Sequence, residues 1–558
     1  MMKKSLAAAS ALTLTLLYGM LVLIAFVFSL TAGIPLGSSL IIGVLVMALQ
    51  FLINPFLTDL NYKWFYKADF NWEAPPELRV FIEKVCAQNN MKYPSLGLID
   101  DGAPNAFTYG RTKNDARIVL TRGTLELLTQ EELETVVGHE LGHAAHYDML
   151  IMTVVQLVPL VLHAIGDACM KVSDSSGSSG SSGKSDNSKG GVVMVGLLAM
   201  IFYAVSELII LRFSRTREYY ADEFSVEATE KPNALASALV KIGLGLSTRK
   251  GQAGAKHQTS AAMRSALGIA DADSGAQMAS CCLEPDGSVS LAGIRNAMKW
   301  DLWNKWAAVY ELGSTHPLIS KRILAISEMC AQYGQTPVIT FDGKPDRDYG
   351  ALFTKELFIM FLPTAVLIIG VLVSMISIAF EVPALPMLLA GLTMILASVT
   401  SLAKLNYRHK MPRKGESFPH HAVGDLLQEV DVSGMHTIPC ELTGTLIGRG
   451  DPGCMFDENF VIRDDTGILF LNYDQPLTIM NKFFALFRSP GYIDRETVVR
   501  GWYRRAPVPM LEIYEIEKDG QSKRVHSLVV GRVLRCIPLV FGIFDIFLSI
   551  FVMSAFMF

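Results

Sequence analysis

The stretch TQEELETVVGHELGHAAHYD, residues 129–148, carries His139, Glu140 and His143 in the spacing H-E-x-x-H. Thr129, followed three residues later by Glu132, is a capping-box start, and Leu133, Val136, Val137, Leu141 and Ala144 recur at helical spacing. The motif therefore lies inside a helix. Positions four apart share a helix face, so both histidines can aim a ring nitrogen at one metal ion while Glu140 stands beside it. That is the constellation of a zinc-dependent hydrolase. Two histidines on a surface helix look the same in isolation, so the reading needs a third ligand and a fitting context.

The context is a membrane. The chain of 558 residues is 51% hydrophobic and 18% charged, with a mean hydropathy of +0.33, so a membrane protein with substantial aqueous domains is expected. A formal net charge of -4 gives no basic field, which argues against nucleic acid as a partner. The eight cysteines include no C-x-x-C pair and fit a reducing compartment better than a disulfide framework. Apolar runs long enough to cross a bilayer lie at 5–30, 39–56, 149–165, 192–213, 357–380, 382–402 and 536–558. The run at 149–165 is short and contains His163, so a buried or re-entrant helix is its alternative. Lysine and arginine concentrate in 61–148, 214–355 and 404–535, which puts the large loops in the cytoplasm. The Gly/Ser-rich link 173–191 then falls on the far side as a flexible connection.

The block 61–148 opens with a helix near 76–89 and continues with LGLID (96–100), PNAFTYG (104–110) and ARIVLT (116–121), strand-like runs separated by turn chemistry. A small sheet ahead of the H-E-x-x-H helix is the order a zincin-type peptidase needs, because an edge strand can bind an extended peptide through its backbone. Asn105 and Ala106 are the substrate-binding candidates at that edge, although PNAF also reads as a plain turn. A metzincin would place a third histidine six residues after His143, and that position is Met149. In SRTREYYADEF (214–224), Glu218 and Asp222 share a helix face. A carboxylate from this second helix would give His2Glu coordination with one open position, and Asp222 could hold a ligand histidine in place. The same residues with Arg215 and Arg217 read equally well as a solvated charged helix at a membrane exit. His146 becomes a ligand candidate if Glu218 is not one.

Four motifs in order, PNAFTYG, HELGH, SRTREYYAD and STHPLISKRI (314–323), resemble the HtpX-like family of membrane zinc metallopeptidases, whose relatives include the CAAX prenyl endopeptidases. The resemblance covers roughly 1–326. It implies zinc ligands at His139, His143 and Glu218, one ion per chain, and a catalytic glutamate at Glu140. It also implies a role for His316, before Pro317, and for Arg322 beyond it in stabilising the reacting oxyanion; from the residues alone, a histidine before proline at a helix start is more often a cap.

The remainder departs from that pattern. Residues 246–282 are rich in small residues and poorly periodic, as a mobile loop or lid over the site would be. Trp300, Trp303 and Trp306 read as core or interface anchors. Within 404–535, CELTGTLIG, NFVIRDD, TGILFLNYD, VVRGWYRRAP, MLEIYEIEKDG and SLVVGRV read as strands, with Asp464, Asp465 and Asp457 as turn residues.

The expected fold class is therefore an α+β membrane protein: a helical transmembrane bundle, a cytoplasmic zincin-like (gluzincin) catalytic domain, and a small C-terminal, mainly β domain of which an OB-like barrel is one form. The expected segments are transmembrane at 1–60, 149–213, 356–403 and 536–558, catalytic at 61–148 and 214–355, and β-rich at 404–535. The function expected is zinc-dependent cleavage of membrane or misfolded proteins at the cytoplasmic face of a bacterial inner membrane, in protein quality control. The partners expected are a protein or peptide substrate, the lipid bilayer, and a docking partner for the β domain. A prenyl-protein endopeptidase and a non-catalytic zinc-stabilised scaffold are the alternatives.

Overall fold

A computed structural model describes residues 2–32, 49, 52–53, 55–175, 186–250, 291–341, 349–380, 382, 384–413, 415–449, 458–475, 477–506 and 508–557. The second apolar run, the proposed lid at 246–282, much of the Gly/Ser link and Asp457 fall mainly outside these residues. The chain forms two compact units, one of Met1–Arg249 and Tyr310–Thr340, the other of Ala276–Val309 and Phe341–Phe558. Five helices among the described residues are long and apolar enough to cross a membrane: Asp148–Lys171, Gly191–Thr229, Tyr349–Phe380, Leu385–Arg408 and Ser527–Ala555. The chain is a multi-pass membrane protein.

In the first unit, α1 (Met2–Ala32) precedes α2 (Pro76–Gln88), which is followed by β1 (Ser95–Ile99), β2 (Ala106–Gly110) and β3 (Ala116–Thr121). β3 lies between the other two, parallel to β1 and antiparallel to β2, so among the described residues β2 pairs on one side only. Phe107 and Tyr109 turn one face of β2 towards Tyr62 and Val119 in a buried cluster. α3 (Gln130–Ala145) starts with the capping box that Thr129 and Glu132 encode. It ends where Tyr147 takes the left-handed conformation (φ 59°), and α4 (Asp148–Ser175) begins at the next residue.

α5 (Asp186–Thr229) is a single helix of 44 residues. Its apolar half and the charged SRTREYYADEF stretch are continuous, because no glycine or proline interrupts 197–229. It stops where Glu230 turns left-handed (φ 58°), two residues before Pro232. In its membrane half, α5 shares a buried cluster with α1 and α4, through Leu17, Ile24, Val155, Val158, Leu162, Ala199 and Ile210. α7 (Ile319–Met329) completes this unit; α6 (Leu291–Trp303) belongs to the second.

In the second unit, α8 (Tyr349–Ser377), α9 (Leu385–Arg408) and α11 (Ser527–Met557) are the membrane helices. α9 and α11 cross closely at Gly391 and Gly542, where a methyl group on either would approach the other's carbonyl oxygen to 2.8 or 2.6 Å. Between them lie β4 (Ile438–Arg449), β5 (Phe460–Arg463), β6 (Ile468–Asn472), α10 (Thr478–Phe483), β7 (Glu496–Arg505), β8 (Pro509–Lys518) and β9 (Gln521–Arg524). Antiparallel pairing joins β6-β5-β4-β7-β8, and a parallel β6–β8 pairing closes those five strands into a ring. SLVVGRV is helix rather than strand. It opens α11, because no turn residue separates it from the apolar run that follows and a lone Gly531 is tolerated within a helix. Trp300 and Trp306 are core residues of this unit, their indole nitrogens donating to Val432 O (2.7 Å) and to Glu356 Oε2 (2.5 Å).

Candidate metal centre

The site is assembled where α3 and α5 touch. Gly138 and Gly142 of α3 face Ser225 and Ala221 of α5; a methyl on Gly142 would lie 3.1 Å from Ala221 Cα and from Phe224 Cβ. Glycine at 142 thus lets the two helices approach closely, and Ser225 Oγ donates to Thr135 O across the contact (2.5 Å). That approach brings His139 and His143 of one helix to Glu218 of the other, with one ligand atom from each lying within 4.8 Å of the others. His146, just past the end of α3, packs edge-on against Phe224 and Tyr220 and is not in the cluster.

Each histidine is oriented by its own carboxylate. His139 Nδ1 lies 2.9 Å from Asp222 Oδ1, and His143 Nδ1 lies 2.7 Å from Asp148 Oδ2. Each aspartate in turn receives an arginine. Arg322 donates through Nε and Nη2 to the two oxygens of Asp222 at 2.8 and 2.6 Å, while Arg217 reaches Asp148 Oδ2 at 2.8 Å. A carboxylate held in this way accepts hydrogen bonds and offers none, which assigns the proton of each ring to Nδ1. The two Nε2 lone pairs then face each other across 3.2 Å. Glu218 Oε2, buried beside them, makes no hydrogen bond of good geometry among the described residues, although His139 Nε2 (3.4 Å) and Arg322 Nη1 (3.5 Å) are near. Two converging lone pairs and an anionic oxygen repel one another unless a cation, a proton on one ring or a metal ion, sits between them. The residues present fit a metal ion.

Burial opposes protonation of His139, but Asp222 and Glu218 outweigh it and raise the ring to about 9 when no ion is bound. Glu140, 3% exposed, accepts from Thr108 Oγ1 of β2 at 2.7 Å. His316 Nε2 is 3.8 Å from Glu218 Oε1, and its Nδ1 lies 2.9 Å from Thr315 Oγ1. The loop that presents it is fastened by Arg215, which donates to the carbonyls of Glu311 (2.6 Å) and Ser314 (2.7 Å). A cavity of about 210 Å³ opens over the cluster, lined by Thr108, Tyr109, Gly110, His139, Glu140, His143, Glu218 and His316 among others.

The sequence candidates divide accordingly. His139, Glu140, His143, Glu218 and His316 meet at one cavity, and Asp222 lies behind His139. Arg322, expected with Asp222 behind the ligands and, by the resemblance, near the reacting oxygen as well, is fully buried on Asp222 and is not among the residues lining the cavity. Asn105 and Ala106 are buried at the head of β2, where Asn105 N bonds Thr121 Oγ1 (2.8 Å) and Thr124 Oγ1 (2.7 Å); the cavity wall is formed further along, at Thr108 to Gly110. Asp148, Arg217, Arg215 and Thr108 were not singled out as site residues from sequence. Asp148, five residues past His143 at a helix start, carried only the signal of an N-terminal acidic residue.

The family model for "Peptidase family M48" matches residues 74–330. A "Protease HtpX homolog" of Methanothermobacter thermautotrophicus is 37% identical over 239 residues, covering 43% of this chain and 84% of that protein. One of Pyrococcus abyssi is 34% identical over 231 residues, covering 40% and 76%. Among solved structures, S. mikatae Ste24p is similar at a TM-score of 0.33 and 17% identity, over 57% of this chain and 65% of that one, too distant for its geometry to be transferred.

Proposed function

Because the chain belongs to peptidase family M48 and is an HtpX-like membrane metallopeptidase, we propose that His139, His143 and Glu218 hold one zinc ion for hydrolysis of peptide bonds at the cytoplasmic face of the cell membrane. The observation that carries the ligand set is the pair of converging Nε2 atoms beside the buried Glu218 carboxylate. Two imidazoles and one carboxylate are a donor set that suits zinc and leaves a coordination position open. When bound, the ion supplies Lewis acidity to a water molecule and to the scissile carbonyl.

The protein groups do the rest. Glu140, steadied by Thr108, takes the proton from the attacking water and returns it to the leaving amine. His316 presents Nε2 to the same cavity and donates to the carbonyl oxygen as negative charge develops there. Asp222 with Arg322, and Asp148 with Arg217, hold the ligand rings in one tautomer. An extended substrate adds to the unpaired side of β2, along Thr108 to Gly110 and downstream of Asn105 and Ala106.

The order of a small sheet, the H-E-x-x-H helix and then the carboxylate helix supports a gluzincin-type catalytic fold. The closed five-stranded ring supports an OB-like C-terminal domain. A site at the end of membrane helices favours membrane or misfolded proteins as substrates, hence quality control. The bacterial inner membrane draws no support from the relatives above, which are archaeal. The test is detergent-purified protein assayed for bound zinc and for cleavage of an unfolded protein. Glu140→Gln keeps the metal and loses about 10²–10⁴ in kcat; equal cleavage by parent and variant would remove Glu140 from the chemistry, and a parent that holds zinc but cleaves nothing would favour a scaffold.

A further inference from the structure

The barrel of the second unit carries its apolar side chains on the wrong side at one place. Between β6 and β7, residues 477–488 turn Asn481, Phe484 and Ala485 inward, with the Phe484 ring stacked on Tyr473 at 3.8 Å. The outward positions are Leu477, Ile479, Met480, Phe483, Leu486 and Phe487, exposed by 38 to 69%. Ile479, Phe483 and Phe487 recur every four residues and make one stripe, in which the two phenylalanine rings stack 5.7 Å apart. An aqueous domain rarely leaves such a stripe to water.

Its position says what covers it. Gln475, just before the stripe, accepts from the backbone N–H of His526 (3.2 Å), and Ser527 begins α11, the last membrane helix. Lys523 Nζ lies 4.2 Å from the centre of the Phe484 ring. The barrel is not free to swing away, because Trp502 and Phe418 pack against Leu405 near the end of α9 and against Leu528 at the start of α11. The stripe therefore stands at a fixed place beside the point where the chain enters the bilayer. Arg532 and Arg535, on the first turns of α11, mark the headgroup level there. Cations border the stripe: Lys482, which pairs with Glu458, then Arg488, and Lys518, which donates to Gly491 O. Phenylalanine, leucine and isoleucine on one face with lysine and arginine at its margin are the chemistry of a segment lying in the membrane interface.

We propose that residues 477–488 are an interfacial membrane anchor, the outward stripe lying among lipid headgroups and upper acyl chains so that the barrel rests on the bilayer surface. The test uses the full chain in nanodiscs of mixed phosphatidylcholine and phosphatidylglycerol, with the photoreactive amino acid p-benzoylphenylalanine replacing Phe487 or Phe483. The control replaces Asp465, exposed at the turn at the other end of β6. After irradiation, mass spectrometry should find lipid adducts at 487 and 483 at least about fivefold above those at 465. Equal yields at the three positions would overturn the proposal, as would crosslinks at 487 and 483 made chiefly to a second copy of the chain.

Discussion

Two buried charge clusters, one in each unit, are built from the same residue types and come to opposite ends. In the second unit Glu512 is surrounded by donors: Arg408, His409 at 2.9 Å and Arg504 at 3.2 Å. Burial opposes its ionisation, but these partners outweigh burial and lower the carboxyl to about 2. In the first unit the donors go to Asp148 and Asp222, which use them to orient histidines, while among the described residues Glu218 keeps an oxygen without a hydrogen bond and the two Nε2 atoms are turned on one another. A cluster saturated by its own cations holds structure together; one that stops short of saturation is shaped for a cation from outside.

Removing the missing partner's seat should have the largest effect. Glu218→Ala is expected to lose bound metal and cleavage together, exceeding the loss of about 10²–10⁴ assigned to Glu140→Gln, which retains metal. Metal analysis of the two variants side by side checks this, and full metal occupancy in Glu218→Ala would break the contrast. Asp148→Asn should weaken metal affinity about 10- to 100-fold, because an asparagine no longer fixes the His143 tautomer. Competition with a chelator reads this directly, and an unchanged affinity would mean that Arg217 and Asp148 only support the fold.

Glu512→Gln should leave metal content untouched and act on stability alone. A carboxyl lowered from an ordinary 4.5 to about 2 contributes stability above the ordinary value and loses it as pH falls towards 2. The side chain is 17% exposed, and the contribution at pH 7 is about 3 kcal/mol. The variant should melt lower than the parent at pH 7, with the gap narrowing by pH 3; a gap that widens in acid contradicts the pairing.

Much of the first cluster is legible in the chain because helical periodicity is local. His139, Glu140 and His143 declare themselves by spacing, and the Thr129 capping box fixes where their helix begins. Glu218 could be nominated but not decided, since the contact that delivers it depends on Gly142 meeting Ala221 across nearly eighty residues of sequence. Asp148 and Arg217 were missed for the same reason, each being an ordinary charged residue until the helices are packed. In the C-terminal unit, alternation located β4 to β8, but SLVVGRV shows the limit: β-branched residues favour a strand until an uninterrupted apolar run makes the same residues the first turns of a membrane helix. The stripe at 477–488 gives no amphipathic contrast in the sequence, because Phe484 and Ala485 make its inward side apolar as well.

The unbroken length of α5 bears on how such a protease comes into being. The carboxylate on which the centre depends lies on the same rod as a membrane-crossing segment, and that segment packs against α1 and α4. Until the three are threaded into the bilayer, Glu218 has no fixed distance from His139 and His143. The geometry of the centre is therefore only as complete as the membrane bundle, since packing of these three helices sets the distance between Glu218 and the two histidines.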